Sequence, residues 1–352
     1  MISRNIRLNI EGDCVEGSGG KPFLMKPAGK DYLWGGNRLN DEYGKDMEMQ
    51  PLAETWECST HPDGQSIVAS GDMKGRLLAD VLEEHPEYLG THPMYLNTQT
   101  GRKYGLPVLI KLIDAKEDLS VQVHPDDDYA RRHEKGQLGK TEMWYILDAA
   151  KDGRLIYGLY RKTDKETLRK SIADGTIEKH LQKVKIRKGE VYYIAAGTIH
   201  AIGAGALIAE IQENSNLTYR LYDYDRMGKD GNKRELHVDK ALDTAVLTGS
   251  SKPVQPMRVL RYRRGIASEL LCRCKYFEVH RIVINTETCR RMADYQTDAL
   301  SFRVLLCIEG CGTVMMEEGE GIVFYKGDCI FFPADSVCVR LHGMAQFLEV
   351  RG

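Results

Sequence analysis

The chain has 352 residues, 42% of them hydrophobic and 28% charged, with 49 Lys and Arg against 51 Asp and Glu for a formal net charge of −2. That length points to about two domains with ample chain for a core. The balanced charge gives no reason to expect nucleic acid or an anionic membrane as a partner, so an anionic substrate would need a local basic pocket.

In chain order, the opening MISRNIRLNIEGD lacks the apolar core of a signal peptide. No apolar run approaches the roughly 18–20 residues of a membrane span. Residues 22–70 are rich in Gly, Pro and Trp and read as loops and short strands. Within them, His61-Pro62-Asp63-Gly64 carries turn chemistry and reads as a structural loop. A short helix is expected at 76–86, ended by His85-Pro86. From Leu106 the pattern turns to β: 106–113 is apolar, 119–124 alternates, and 143–147 is aromatic and aliphatic. The charge-rich 126–135 segment reads as solvated surface, as do His133, His180 and His237.

The spacing predicts the clearest helix over 163–182, opened by a Thr163-Asp-Lys-Glu166 capping box and broken at Asp174-Gly175, with a second short helix at 177–181. Strand character returns from Val184 to about Tyr224. Residues 249–256 are the best linker, after which the chain is again mostly β. The nine cysteines show no repeated metal-type spacing, and Cys307 and Cys311 are the nearest pair. They read as reduced thiols of a cytoplasmic protein. KGEVYYIAAGTIH (188–200) and KGDCIFFPADSVC (326–338) align in register, which suggests a duplicated β unit with Cys338 where the first copy has His200.

The chemistry concentrates in a few polar positions. On the alternating run, Ser120, Gln122 and His124 share one strand face while Leu119, Val121 and Val123 share the other. Glu142 follows in Lys140-Thr-Glu142, and His200 ends Gly197-Thr-Ile-His200. Gln, His, Glu and a second His, each on a strand or strand end, make a complete ligand set for a divalent metal without a thiolate, which suits a catalytic site. Arg220 alternates with Tyr219 and Leu221 and can face inward, as a fixed cationic fork for an oxyanion. Glu210 lies on a strand whose Ile208, Glu210 and Gln212 share a face, and it is the carboxylate best placed by pattern for proton transfer. Lys140 would share the face of Glu142 and could bind phosphate or move a proton.

The order Ser120-Val-Gln122-Val-His124-Pro, Lys140-x-Glu142, Gly197-Thr-Ile-His200-Ala and Glu210-Ile-Gln-Glu-Asn214-Ser-Asn-Leu-Thr-Tyr-Arg220 resembles the cupin pattern and, more closely, type I mannose-6-phosphate isomerases of the short bacterial form. Trp34-Gly35-Gly36 and Ala53-Glu54-x-Trp56 extend the resemblance over about residues 22–352.

The resemblance implies a mainly β protein of two cupin (jelly-roll) barrels with a small helical element. Its catalytic domain would be residues 1–250, and a C-terminal domain, 251–352, would lack metal ligands. It implies one Zn2+ per chain on Gln122, His124, Glu142 and His200. Arg220, Glu210 and Lys140 would be catalytic, and Ser120, Lys140 and Arg220 would meet substrate. The implied reaction interconverts mannose 6-phosphate and fructose 6-phosphate through a cis-enediol in a cytoplasmic monomer or weak homodimer. Gly139 and Asn216 stand where longer relatives carry a His and an Asp, so neither position is expected to transfer protons here. A metal-binding cupin that binds a sugar or regulates a partner without catalysis is the competing expectation, and an iron cupin oxygenase is disfavoured by Gln122.

Overall fold

The computed structural model describes residues 19–94, 105–228, 231–289, 291–317 and 321–352. The stretch weighed as a signal peptide lies outside them. Its strands form three antiparallel sheets of ten, six and five strands. Among the described residues no pairing joins the two end strands of a sheet, so the structure is mainly β and antiparallel, and hydrogen bonding alone closes no barrel. Among the described residues no helix is long and apolar enough to cross a membrane.

The six-stranded sheet runs Val191–Ile194, Glu142–Ala149, Ala206–Glu213, Val108–Ala115, Glu54–Cys58 and Ala28–Lys30. The five-stranded sheet runs Tyr219–Tyr222, Val121–Val123, His200–Ile202, Arg154–Leu159 and Leu181–Lys185. Strand alternation sorts their residues into layers. Ile113, Trp144, Ile146 and Ile208 from the first sheet pack with Leu155 and Ile202 from the second. The outer face of the five-stranded sheet, with Val121, Val123, Tyr219 and Leu221, is covered by helices through Leu168, Ile172, Ala241 and Leu242. The outer face of the six-stranded sheet, with Val108, Ile110, Leu112, Met143 and Ile211, packs on Val304, Leu306, Phe331 and Leu348 of the ten-stranded sheet. That third sheet has its own apolar interior around Leu305, Ile330, Phe332 and Phe347.

The ten-stranded sheet holds the strands of residues 261–351 and also takes in Phe23–Lys26 and Ile67–Val68. Phe23 pairs with Phe331 and Met25 with Cys329. The N-terminal segment is thus threaded into the sheet of the C-terminal half. The two aligned segments place Val191–Ile194 and Cys329–Phe332 as strands at matching positions.

Four local expectations need correction. The helix expected over 163–182 is Lys165–Ala173, capped by Asp164, whose carboxylate accepts from the Thr167 N–H at 2.8 Å. An Asp one residue after Thr163 offers the stronger acceptor to the free N–H groups and takes the cap. Only a turn of 3-10 helix, Ile177–Lys179, follows. The 126–135 segment is not merely a solvated run: Asp126 caps a helix at Asp127–His133, with acids in its first turn and Arg131, Arg132 and His133 in its last, which complements the helix dipole. His180 and His237 are half-buried and hydrogen-bonded, to Ser171 and to the Arg220 N–H respectively, and only His133 is exposed. Seven of the described cysteines are free thiols, whereas Cys338 is disulfide-bonded, so the expectation of uniformly reduced cysteines fails there.

Candidate metal centre and active site

Two rows of side chains face one another inside the sandwich. Across the six-stranded sheet the register sets Trp56, Lys111, Glu210 and Trp144 side by side on four adjacent strands. Across the five-stranded sheet it sets Arg220, Gln122, His200 and Tyr157 in a row. Trp144 meets His200 edge-on at 5.4 Å between ring centroids and ties the rows together. His124 and Glu142 lie beside them, and Glu142, His124 and His200 are at most 1% exposed.

The turn that delivers His200 depends on Gly197. Its φ of +83° is in the left-handed region, and a Cβ there would lie 2.9 Å from the Thr244 carbonyl oxygen. Its N–H donates to the His124 carbonyl at 2.8 Å, so the turn and the Gln122–His124 strand are fixed to each other.

Nδ1 of His124 lies 2.9 Å from the Leu217 carbonyl, and Nδ1 of His200 lies 2.8 Å from the Thr198 carbonyl. A carbonyl only accepts, so Nδ1 carries the proton in both rings and both Nε2 atoms present lone pairs. Those lone pairs point toward a carboxylate: His124 Nε2 is 3.0 Å from Glu142 Oε1, and His200 Nε2 is 3.8 Å from Glu142 Oε2. His124 Nε2 is buried without a hydrogen-bond partner, since neither it nor the carboxylate brings a proton, and Glu142 Oε1 is ion-paired with Lys140 Nζ at 2.6 Å. Acceptors that converge without a shared proton repel, unless a cation sits among them. The donor set of two imidazole nitrogens and a carboxylate therefore fits a divalent metal, and the three ligand atoms lie within 4.8 Å of one another.

The Gln122 side-chain amide is 3.4 Å from His200 Nε2, close enough for its carbonyl oxygen to join them with the amide turned over. Burial, then Lys140, drives the His124 pKa down to about 3. Burial also lowers that of His200. Burial alone would push the Glu142 carboxyl up, but Lys140, 2.6 Å away, and the two histidines outweigh it and hold it well below the usual range.

The row on the six-stranded sheet adds an acid–base pair. Lys111 is 3% exposed and 3.2 Å from Glu210, with Glu54 at 3.6 Å and the Trp56 ring 4.9 Å below its ammonium. Burial works to lower its pKa, but Glu54 and then Glu210 prevail and raise it. Glu210 is pushed up, by burial first and then by the Glu142 charge, with Lys111 opposing. The Trp144 indole N–H is shared, donating to Glu142 at 3.0 Å and to Glu210 at 2.9 Å.

Arg220 donates to the Glu235 carbonyl at 2.8 Å and keeps a buried Nε without a hydrogen-bond partner. Burial, then the neighbouring Arg234, lowers its pKa. Arg226 and Arg234 both grip Asp223 close by. Ser120 is buried just before the strand Val121–Val123.

Gln122, His200, Glu210 and Arg220 stand in the two rows and His124, Glu142 and Lys140 lie beside them, whereas Ser120 is placed only by being next to the strand of Gln122. Sequence reasoning missed Lys111 and the two indoles. The available signals were a lone lysine in an apolar strand and Glu-x-Trp twice, at Glu54–Trp56 and Glu142–Trp144, each putting the indole on the face of its carboxylate; Trp56 Nε1 donates to Glu54 at 2.8 Å.

A family model for the catalytic domain of type I phosphomannose isomerase matches residues 23–151. Mannose-6-phosphate isomerase ManA of Bacillus subtilis is 37% identical over 327 residues, covering 93% of this chain and 97% of the relative. The chain belongs to the type I phosphomannose isomerase family. The mannose-6-phosphate isomerase of Streptococcus mutans is 35% identical, over 89% of this chain and 92% of its own. The crystal structure of the Bacillus subtilis mannose 6-phosphate isomerase superposes with a TM-score of 0.82 at 35% identity, over 94% of this chain and 99% of that one. Of the paired rows, Trp56, Lys111, Gln122 and Trp144 lie within the stretch matched by the catalytic-domain model.

Proposed function

We propose that this phosphomannose isomerase is a zinc-dependent aldose–ketose isomerase that interconverts mannose 6-phosphate and fructose 6-phosphate in the cytoplasm, as a monomer or weak homodimer. We take the two facing sheets of residues 1–250 as the catalytic cupin barrel and residues 251–352 as a second barrel without metal ligands. The observation that carries the reading is the convergence of unprotonated His124 and His200 on Glu142, directly beside a buried Lys111–Glu210 pair.

His124, Glu142, His200 and Gln122 would hold the ion. When bound, zinc supplies Lewis acidity that stabilises negative charge developing on the sugar's C1 and C2 oxygens, an effect worth several kcal/mol. Glu210, raised toward neutrality, is suited to take the proton from C2 and return it to C1 of the cis-enediol. Lys140 exchanges the hydroxyl proton between O2 and O1, so the reaction leaves no net proton behind. Arg220 and Ser120 orient the substrate. Arg220, with Arg226 and Arg234 near it, supplies the local basic pocket that a phosphate needs on a chain of net charge −2.

The test is conversion of mannose 6-phosphate by purified protein before and after chelation. Loss of activity and its return with zinc support the reading. No conversion by fully metallated protein refutes it and leaves the sugar-binding cupin.

A further inference from the structure

The turn Asn214–Thr218 does more than connect two strands, because its Leu217 carbonyl takes the Nδ1 proton of His124 and so fixes which nitrogen faces the carboxylate. What holds that turn is a hairpin far away in sequence. Ser66 N–H pairs with the Ser59 carbonyl, and Gly64 N–H with that of His61, which makes a tight loop of residues 59–66. The loop lies flat on Trp56: a Cβ on Gly64 would come 2.7 Å from the indole, and the His61 ring meets it edge-on at 5.8 Å. Two hydrogen bonds run from the turn to the loop, Asn214 Nδ2 to Thr60 Oγ1 at 2.9 Å and Asn216 Nδ2 to Asp63 Oδ2 at 2.8 Å. Lys30 donates to the Asp63 carbonyl and braces the loop from its far side.

We propose that Asp63 is a positioning residue for His124: through Asn216 it holds the turn whose Leu217 carbonyl orients the imidazole. The geometry is a relay of fixed groups, from Trp56 to the loop, from Asp63 to Asn216, and from Leu217 to His124. Outer hydrogen-bond partners of ligating histidines commonly govern metal retention by 10- to 100-fold when removed. Asp63 acts one step further out, and its side chain is half-exposed, so the expected effect is smaller. The inference rests on the reading of His124 as a metal ligand.

The experiment measures release of zinc from the full-length protein to a chromophoric chelator. Asp63→Ala and Asn216→Ala should each release zinc about fivefold faster, with the double variant no faster than either alone, since a single bond is removed in all three. Asp63→Asn keeps an acceptor oxygen and should restore wild-type retention, while the unfolding midpoints of all variants stay within a degree or two. Wild-type retention in Asp63→Ala, additive effects in the double variant, or failure of Asp63→Asn to rescue would each overturn the proposal. Failure of the wild-type protein to take up zinc at all would instead strike the metal-site reading on which it rests.

Discussion

Glu213→Gln should make the protein more stable at neutral pH, and the gain should grow as pH rises. Glu213 ends the strand Ala206–Glu213 with 1% exposure. Its Oε1 accepts the Thr141 N–H at 2.8 Å, while Oε2 is buried without a hydrogen-bond partner. Burial first, then the charge of Asp127, push its pKa from 4.5 up to about 8. In the unfolded chain the carboxyl ionises near its ordinary value, so between the two values the folded state binds the extra proton. Stability from this group is complete below about pH 4.5 and is lost as pH rises through about 8. One pH step across that window is worth ~1.4 kcal/mol, so the loss is about 3 kcal/mol by pH 7 and approaches about 5 kcal/mol at its limit.

Glutamine is the isostere of the protonated acid. It keeps the acceptor for Thr141 and removes the titration. The assay is denaturant unfolding of chelated wild-type and variant protein from pH 5 to 9; chelation keeps proton release at the metal ligands out of the comparison. The variant-minus-wild-type difference should climb by about 3 kcal/mol between pH 5 and pH 8. Parallel stability curves over that range would refute the buried-acid reasoning.

Lys111→Met leaves Glu54 and Glu210 buried beside one another without their cation; a loss of about 3–5 kcal/mol in denaturant melts is expected. The acid limb of its kcat profile should also move upward, because Glu210 loses the charge that opposes its protonation. Trp144→Phe removes the one N–H shared by Glu142 and Glu210; at about 1–3 kcal/mol for the unsatisfied acceptors, kcat should fall about 10- to 100-fold with little change in fold by circular dichroism. Arg220→Lys keeps the charge but not the fork, and kcat/KM for mannose 6-phosphate should drop by roughly two orders of magnitude, whereas an unchanged value would remove Arg220 from substrate contact.

The site was readable wherever strand alternation decides the matter. Gln122 and His124 point inward because Val121 and Val123 are claimed by the helices outside. Arg220 points inward because Tyr219 and Leu221 are claimed in the same way. Alternation gives the face of a residue but not its neighbour across the sheet. The pairing of Glu210 with Lys111 joins strands nearly a hundred residues apart, and nothing local to either encodes it. Lys111 was hidden for a further reason: Leu106–Ile113 is so apolar that it reads as a strand buried on both faces, and only one of those faces is apolar where the lysine sits. The helix at Asp127–His133 was obscured by its own charges, whose order along the chain, acids before bases, was the usable signal. The threading of Phe23–Lys26 beside Cys329–Phe332 is likewise a matter of partner choice, decided by the shape of the interface and by no motif.

The six-stranded sheet is the wall on which both halves depend. Its inner face carries Lys111, Glu142, Trp144 and Glu210; its outer face carries Val108, Ile110, Leu112, Met143, Tyr145, Ala209 and Ile211, none more than 4% exposed. Burying large apolar side chains contributes about 1.5–3 kcal/mol each, so this face alone accounts for roughly 10–20 kcal/mol. The strand Glu54–Cys58 shows the same division within five residues. Glu54 and Trp56 turn toward Lys111, while Glu57 forms a buried ion pair with Lys45 at 2.7 Å, and that lysine also reaches the Gly327 carbonyl of the C-terminal half at 2.5 Å. A row of buried charges and indoles held by hydrogen bonds needs a backing that does not yield. The C-terminal sheet supplies that backing through packing.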